Sequence, residues 1–149
     1  MKQTAVLQKE RYIPPDESVW QFAHHVFHGL SRSEKRLSCK YIYDEAGSRL
    51  FSQITDLPEY YPTACETEIF EQHKSLLSGW FSQAACNIVE LGAGDGRKTR
   101  ILLEELLGRA SDFTYVPIDI SEAAVNGLSN RFACQYPGLC IKGIVSEYF

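Results

Sequence analysis

The run Ile88-Val89-Glu90-Leu91-Gly92-Ala93-Gly94-Asp95-Gly96-Arg97-Lys98-Thr99 concentrates the residues of this chain that could do chemistry. It reads as a buried strand passing through a glycine-rich turn into a helix. Glycines fall at alternate positions 92, 94 and 96, where the missing Cβ permits positive φ and lets a ligand approach the backbone. Such a turn is a ligand cradle, but its acids, Glu90 and Asp95, carry the wrong charge for a phosphate. The dinucleotide fingerprint G-x-G-x-x-G requires glycine where Arg97 stands. The phosphate loop G-x-x-x-x-G-K-[ST] matches at Gly92 and at Lys98-Thr99 but fails at the same arginine.

An acid ending the strand, followed by G-x-G-x-G, instead suits S-adenosylmethionine, which has no phosphate, a cationic amino-acid end and a ribose. A second acid agrees. In Phe113-Thr114-Tyr115-Val116-Pro117-Ile118-Asp119-Ile120-Ser121, Asp119 ends a strand 25 residues beyond Gly94, near the distance at which a doubly wound sheet places its ribose-binding carboxylate. The plainer role for this segment is to start the next helix, with Ser121 as N-cap; both roles are compatible.

The elements that must position these residues follow from periodicity. A first helix is expected after Pro14-Pro15-Asp16, with Val19, Phe22, Val26 and Leu30 at helical spacing. A second runs from Asp44 through Leu50, Phe51, Ile54 and Leu57 to Pro58. A third covers about Thr63 to Trp80, with Ile69, Phe70, Leu76, Leu77 and Trp80 on one stripe and His73 as a core histidine. His24 and His28 stand four apart, a spacing that two metal ligands can use. No third ligand is in register, so they read as surface or partly buried histidines and no metal is expected.

From residue 87 the pattern becomes strand Asn87 to Leu91, helix Lys98 to Leu107, strand Phe113 to Asp119, helix Ser121 to Ala133 and strand Cys140 to Val145. The expected class is α/β: the first half of a Rossmann-like doubly wound sheet behind an N-terminal helical region. Residues 1–82 form a helical cap contributing to the substrate site, and residues 83–149 the first βαβαβ part of a donor-binding domain, with a linker in the Gly79 to Ala85 region. Three strands make an unfinished parallel sheet, so the chain reads as the front part of a larger enzyme and the isolated fragment as inactive.

Composition bounds the partners. The chain has 149 residues, 44% of them hydrophobic, and a net charge of −4, enough for one domain and without the basic excess that nucleic acid binding uses. It has no apolar run long enough for a bilayer and no secretory h-region after Met1-Lys2-Gln3-Thr4, so no membrane partner is expected and the cytoplasm is the expected compartment. Five cysteines, odd in number and without a C-x-x-C pair, read as reduced thiols.

The 21 residues Tyr43-Asp44-Glu45-Ala46-Gly47-Ser48-Arg49-Leu50-Phe51-Ser52-Gln53-Ile54-Thr55-Asp56-Leu57-Pro58-Glu59-Tyr60-Tyr61-Pro62-Thr63 are more specific than any glycine loop. On spacing alone, Pro58 to Pro62 reads as a rigid turn. Together with Tyr43 and Gly47-Ser48, the segment resembles the signature of the histidine-specific S-adenosylmethionine-dependent methyltransferase family, whose best-known member trimethylates the α-amine of histidine on the way to ergothioneine. Glu90-Leu91-Gly92-Ala93-Gly94 with Lys98-Thr99, then Val116-Pro117-Ile118-Asp119-Ile120-Ser121 and Tyr136-Pro137-Gly138, resemble the same family in the same order, over roughly residues 40 to 149.

The resemblance implies S-adenosylmethionine as methyl donor and a free amino acid, histidine first, as acceptor. It implies substrate-binding roles for Tyr43 and Tyr60, with Tyr61 the alternative if the register slips. The cofactor-binding positions are Glu90, Gly92, Gly94, Lys98, Asp119, Glu147 and Tyr148. Lys98 suits the methionine carboxylate at a helix N-terminus. Asp119 corresponds to the ribose acid, and Glu147-Tyr148 to a pair that is usually Asp-Phe and flanks adenine. No catalytic base is assigned within the chain. Two rival readings are a nucleotide-binding module with a degenerate phosphate loop, supported by Lys98-Thr99 alone, and a non-catalytic interaction domain.

Overall fold

The computed structural model describes residues 15–81 and 84–147. Three helices lead: α1 (Pro15–Leu30), α2 (Glu45–Thr55) and α3 (Tyr61–Phe81), with a short 3-10 turn at Cys39–Ile42 between the first two. Then come β1 (Cys86–Leu91), α4 (Thr99–Gly108), β2 (Phe113–Asp119), α5 (Glu122–Gln135), β3 (Cys140–Ile141) and β4 (Ile144–Val145). The expected α/β order is observed. Gly79 to Phe81, read as the start of a linker, still belong to α3, while residues 82–83 lie outside the described residues.

All strand pairings are parallel. β2 is central, with β1 on one side and β3 and β4 in succession on the other. The single strand expected from Cys140 to Val145 is two short ones. The break falls at Lys142-Gly143, where the backbone runs so close to α5 that a Cβ on Gly143 would meet Val125 and Ser129.

Register aligns Ile88 with Tyr115, and Tyr115 with Ile141, on one face of the sheet. Both crossovers step the same way along the sheet, and right-handed connections then put α4 and α5 on the same face. There Leu103 and Leu106 of α4 and Leu128 and Phe132 of α5 bury Ile88 and Tyr115 as one core. The opposite face is open at β1, where Val89 is 55% and Leu91 63% exposed.

The helical region departs from its apolar pattern. On α3, Phe70, Leu77 and Phe81 pack against the core, but Ile69, Leu76 and Trp80 are exposed, and so is His73, contrary to the expectation of a core histidine. The reason is angular: α3 meets α4 along one narrow stripe, and a 21-residue helix with a broad apolar surface presents more than one neighbour can cover. On α1, Val19 and Leu30 are exposed. The helix docks instead through Phe22, edge-on to Tyr41 at 4.8 Å, and through His25 Nδ1, 2.5 Å from the Tyr41 hydroxyl. His24 and His28 are exposed with ring centroids 4.2 Å apart. No helix among the described residues is long and apolar enough to cross a membrane.

Candidate functional site

The glycine loop joins β1 to α4 at the carboxyl end of the parallel strands, where doubly wound sheets bind ligands. Gly92, Gly94 and Gly96 have φ of 70°, 52° and 65°, the left-handed region that glycine adopts without a Cβ penalty. The loop is fastened from below: Gly92 N–H donates to the Ile118 carbonyl at 2.8 Å and Gly96 N–H to the Ala93 carbonyl at 2.9 Å. Gly96 has a packing role besides, because a Cβ there would overlap Leu128 of α5. Gly94 has no such neighbour within 4 Å; its Cβ direction is open space.

Asp119 closes the arrangement from the end of β2. One carboxylate oxygen accepts the Gly94 N–H at 3.0 Å and the other the Ser121 N–H at 2.9 Å. Ser121 meanwhile caps α5, accepting from Ala124 N–H at 3.2 Å. Ser121 thus takes the capping role, while Asp119 ties the loop to the start of α5.

The tyrosine signature has a mechanical logic of its own. Asp44 caps α2 by accepting the Gly47 N–H at 2.7 Å. Gly47 must lack a side chain because the Ile42 carbonyl occupies the place of its Cβ. The Ser48 hydroxyl donates to the Tyr43 carbonyl at 3.4 Å. These three fix the entry to α2 and so the placement of Tyr43. Phe51, one turn further along α2, stands edge-on to Tyr43 at 6.1 Å and to Tyr60 at 6.0 Å, making an aromatic wall of three rings.

A cavity of about 1220 Å³ lies between this wall and the loop, lined among others by Tyr43, Tyr60, Gly92, Gly94, Lys98 and Asp119. Glu147 also lines it, its carboxylate accepting from Lys40 Nζ at 3.1 and 3.2 Å. Two candidates fall elsewhere. Tyr61, the first residue of α3, is 70% exposed and outside the lining. Glu90 lies beneath the loop, where its carboxylate accepts from the Thr99 hydroxyl at 2.5 Å and from the Tyr115 hydroxyl. Tyr148 lies outside the described residues. Phe51, Lys40 and Glu66 line the cavity without having been singled out from sequence. Phe51 had read as part of an apolar helix stripe, and the other two carry no local signal.

Electrostatics divide the loop into a dry underside and a wet rim. Burial pushes the Glu90 carboxyl above its ordinary value, against the opposing pull of the Thr99 and Tyr115 hydrogen bonds. Burial, with Glu90 beside it, pushes the Tyr115 hydroxyl far up. On the rim, Arg97 bonds Asp56 at 2.6 Å and Asp95 at 3.1 Å, and these two hold its guanidinium above its ordinary range, Asp56 first. Lys98 Nζ donates to Glu66 at 2.5 Å. A phosphate loop would aim Lys98 at phosphate and the Thr99 hydroxyl at magnesium; here both face carboxylates, which disfavours that reading.

Comparison with known proteins agrees. The sequence profile of the family described as "Histidine-specific methyltransferase, SAM-dependent" matches residues 22–149. The chain belongs to this family. It is 37% identical over 123 residues to a histidine N-alpha-methyltransferase of Mycobacterium tuberculosis (strain CDC 1551 / Oshkosh), covering 83% of this chain and 38% of that protein. With the histidine N-alpha-methyltransferase of Mycolicibacterium smegmatis (strain ATCC 700084 / mc(2)155) it shares 31% over 142 residues, covering 95% and 44%. Ergothioneine biosynthesis protein 1 of Schizosaccharomyces pombe (strain 972 / ATCC 24843) is 34% identical over 121 residues, 77% of this chain and 16% of that one. The chain thus spans about two-fifths of the bacterial relatives it matches.

Membership of this histidine-specific methyltransferase family implies S-adenosylmethionine as methyl donor. The residues present fit it: an unobstructed backbone approach at Gly94, a carboxylate at Asp119 with acceptor capacity left over, and a cation at Lys98, all on one cavity.

Proposed function

We propose that this chain forms the donor-binding part, and one wall of the acceptor pocket, of an enzyme that methylates the α-amine of a free amino acid, histidine first. The observation that carries the reading is the single cavity lined by both Tyr43 and Tyr60 and by Gly92, Gly94 and Asp119. The histidine N-alpha-methyltransferase names of the two bacterial relatives support the acceptor, and the name of the fission yeast relative supports a place in ergothioneine biosynthesis.

S-adenosylmethionine would supply an electrophilic methyl group, so the protein's task is to position and desolvate. Gly92 and Gly94 admit the donor to the backbone, Asp119 accepts from its ribose hydroxyls and Lys98 pairs with its carboxylate. Glu147, with Tyr148, flanks the adenine. Glu90 serves from beneath, holding the hydroxyl of Thr99 at the start of α4 and so the end of the loop. Tyr43 and Tyr60 hold the acceptor's carboxylate and amine, and their hydroxyls favour the neutral amine that attack requires. Residues 1–82 act as the cap that carries these tyrosines, and residues 83–149 as the donor half. The free cysteines suit a reducing compartment, the cytoplasm.

The test is a calorimetric titration of the chain with S-adenosylmethionine, with ATP and magnesium as control. Donor binding without ATP binding is expected. Methylation assays on a protein that joins this chain to the remaining length of its relatives should then give a histidine methylated on its amine. Turnover of none of a panel of free amino acids would sink the acceptor assignment.

A further inference from the structure

Glu66 projects from the second turn of α3, and neither the glycine loop nor the tyrosine signature accounts for it. Its carboxylate Oε2 accepts from Lys98 Nζ at 2.5 Å, and both side chains are about half exposed and line the cavity. The plain role for such a pair is to fasten α3 to the start of α4. That contact is already secured elsewhere along the two helices. Phe70, Leu77 and Phe81 pack on the shared core, the Ser75 hydroxyl donates to Glu105 at 3.0 Å and Arg109 donates to the Ser75 carbonyl at 3.2 Å. A surface ion pair adds little to so much packing.

The position of the pair matters more than its strength. It stands on the cavity wall at the N-terminus of α4, beside the loop whose Gly92 and Gly94 line the same space. The amino-acid end of the donor carries a carboxylate and an ammonium on one carbon. A lysine ammonium next to a glutamate carboxylate is its charge complement.

We propose that Glu66 receives the α-ammonium of the donor while Lys98 receives its carboxylate, the two forming a clamp for a zwitterion. The proposal rests on the donor reading given above. Binding opens one ion pair and makes two, so Lys98 and Glu66 each exchange one partner for another and the ammonium and carboxylate add no net charge; the donor's sulfonium is the one charge brought in. A ligand without the ammonium would satisfy Lys98 at the expense of leaving Glu66 unpaired. A ligand without either group, such as 5′-methylthioadenosine, would leave the resting Lys98–Glu66 pair undisturbed and gain nothing from it.

The experiment is calorimetric titration of the chain and its variants with three ligands: S-adenosylhomocysteine, its analogue with hydroxyl in place of the α-amine, and 5′-methylthioadenosine. The unaltered chain should prefer S-adenosylhomocysteine to the hydroxyl analogue by about tenfold or more, the scale of one charged hydrogen bond. Glu66→Gln should erase that preference, because S-adenosylhomocysteine loses its ammonium partner while the hydroxyl analogue no longer has an ion pair to break; Glu66→Asp should keep part of it, and Lys98→Met should weaken both carboxylate ligands. Melting curves of the variants report that the fold is intact. A preference that survives Glu66→Gln overturns the clamp and leaves the donor reading standing. So does a uniform tightening of the two carboxylate ligands, since Glu66 would then be a competitor for Lys98. Failure of the unaltered chain to bind either S-adenosylmethionine or S-adenosylhomocysteine overturns the donor reading and the clamp with it.

Discussion

The Gly94 amide donates to the Asp119 carboxylate at 3.0 Å, tying the tip of the glycine loop to the end of the neighbouring strand. Asp119 therefore acts on the loop and on the cavity it lines. A carboxylate has about four acceptor positions, and two are used by Gly94 and Ser121, which leaves capacity for two ribose hydroxyls. Asp119→Ala should weaken donor binding by about 10- to 100-fold, the range for losing charged hydrogen bonds. Asp119→Asn should be nearly as damaging, since its amide nitrogen must face one of the two backbone donors. Calorimetric affinities check both, and an Asn variant that binds like the parent would remove the loop-tethering role.

Two loop glycines with similar φ should respond differently to alanine. At Gly94 the cost is left-handed strain alone, about 1–2 kcal/mol, because nothing stands within 4 Å of the added Cβ. At Gly96 the Cβ also overlaps Leu128, adding the cost of overpacking, about 1–3 kcal/mol. Urea unfolding should rank Gly96→Ala as the less stable variant, whereas donor titration should rank Gly94→Ala as the weaker binder relative to its stability loss. Equal stability losses would mean that α5 yields at Leu128.

This contrast bears on what the chain's residues disclose unaided. The glycines, the strand ends and the Ser121 cap were legible because each is a local demand: positive φ, period-two burial, a hydroxyl before a helix. The uncovered face of α3 was not. Ile69, Leu76 and Trp80 share helical spacing with the half-buried Phe70 and Leu77, and periodicity records that a face is apolar without recording what covers it. Lys40 and Glu147 are 107 residues apart and meet only through the fold, so no spacing could announce them. Glu90 was legible as an acid ending β1 but not as one turned beneath the loop, because the first residue of α4 and the middle of β2 supply its partners.

Gly47 offers a test of the tyrosine signature in which two effects have opposite signs. Inside a helix, alanine should beat glycine by about 1 kcal/mol. The Ile42 carbonyl lies where the alanine Cβ would be, and a backbone atom cannot swing aside as a side chain can. Overlap should win, and Gly47→Ala should destabilise by about 1–3 kcal/mol net while displacing Tyr43 from the cavity. Denaturant unfolding measures the first effect, and loss of acceptor binding in the joined protein the second. A stabilised Gly47→Ala variant would mean that the turn before α2 is free to move.

Glu90 sets a pH dependence whose sign can be worked out. Burial raises its pKa in the folded chain above the ordinary 4.5, so the folded state holds the proton more tightly than the unfolded state. Linkage then makes the contribution of Glu90 to stability fully present below that ordinary value and lost as pH rises through the raised one. Glu90→Gln keeps an acceptor oxygen for one of the two hydroxyls, which bond different carboxylate oxygens, and offers its NH2 as donor to the other, which can turn to accept; it cannot ionise. The variant should match the parent in acid and exceed it in stability at neutral pH, flattening this part of the stability profile. Chemical unfolding at a series of pH values decides the matter. A variant less stable than the parent at neutral pH would mean that ionised Glu90 is worth more to the loop through its hydrogen bonds than its burial costs.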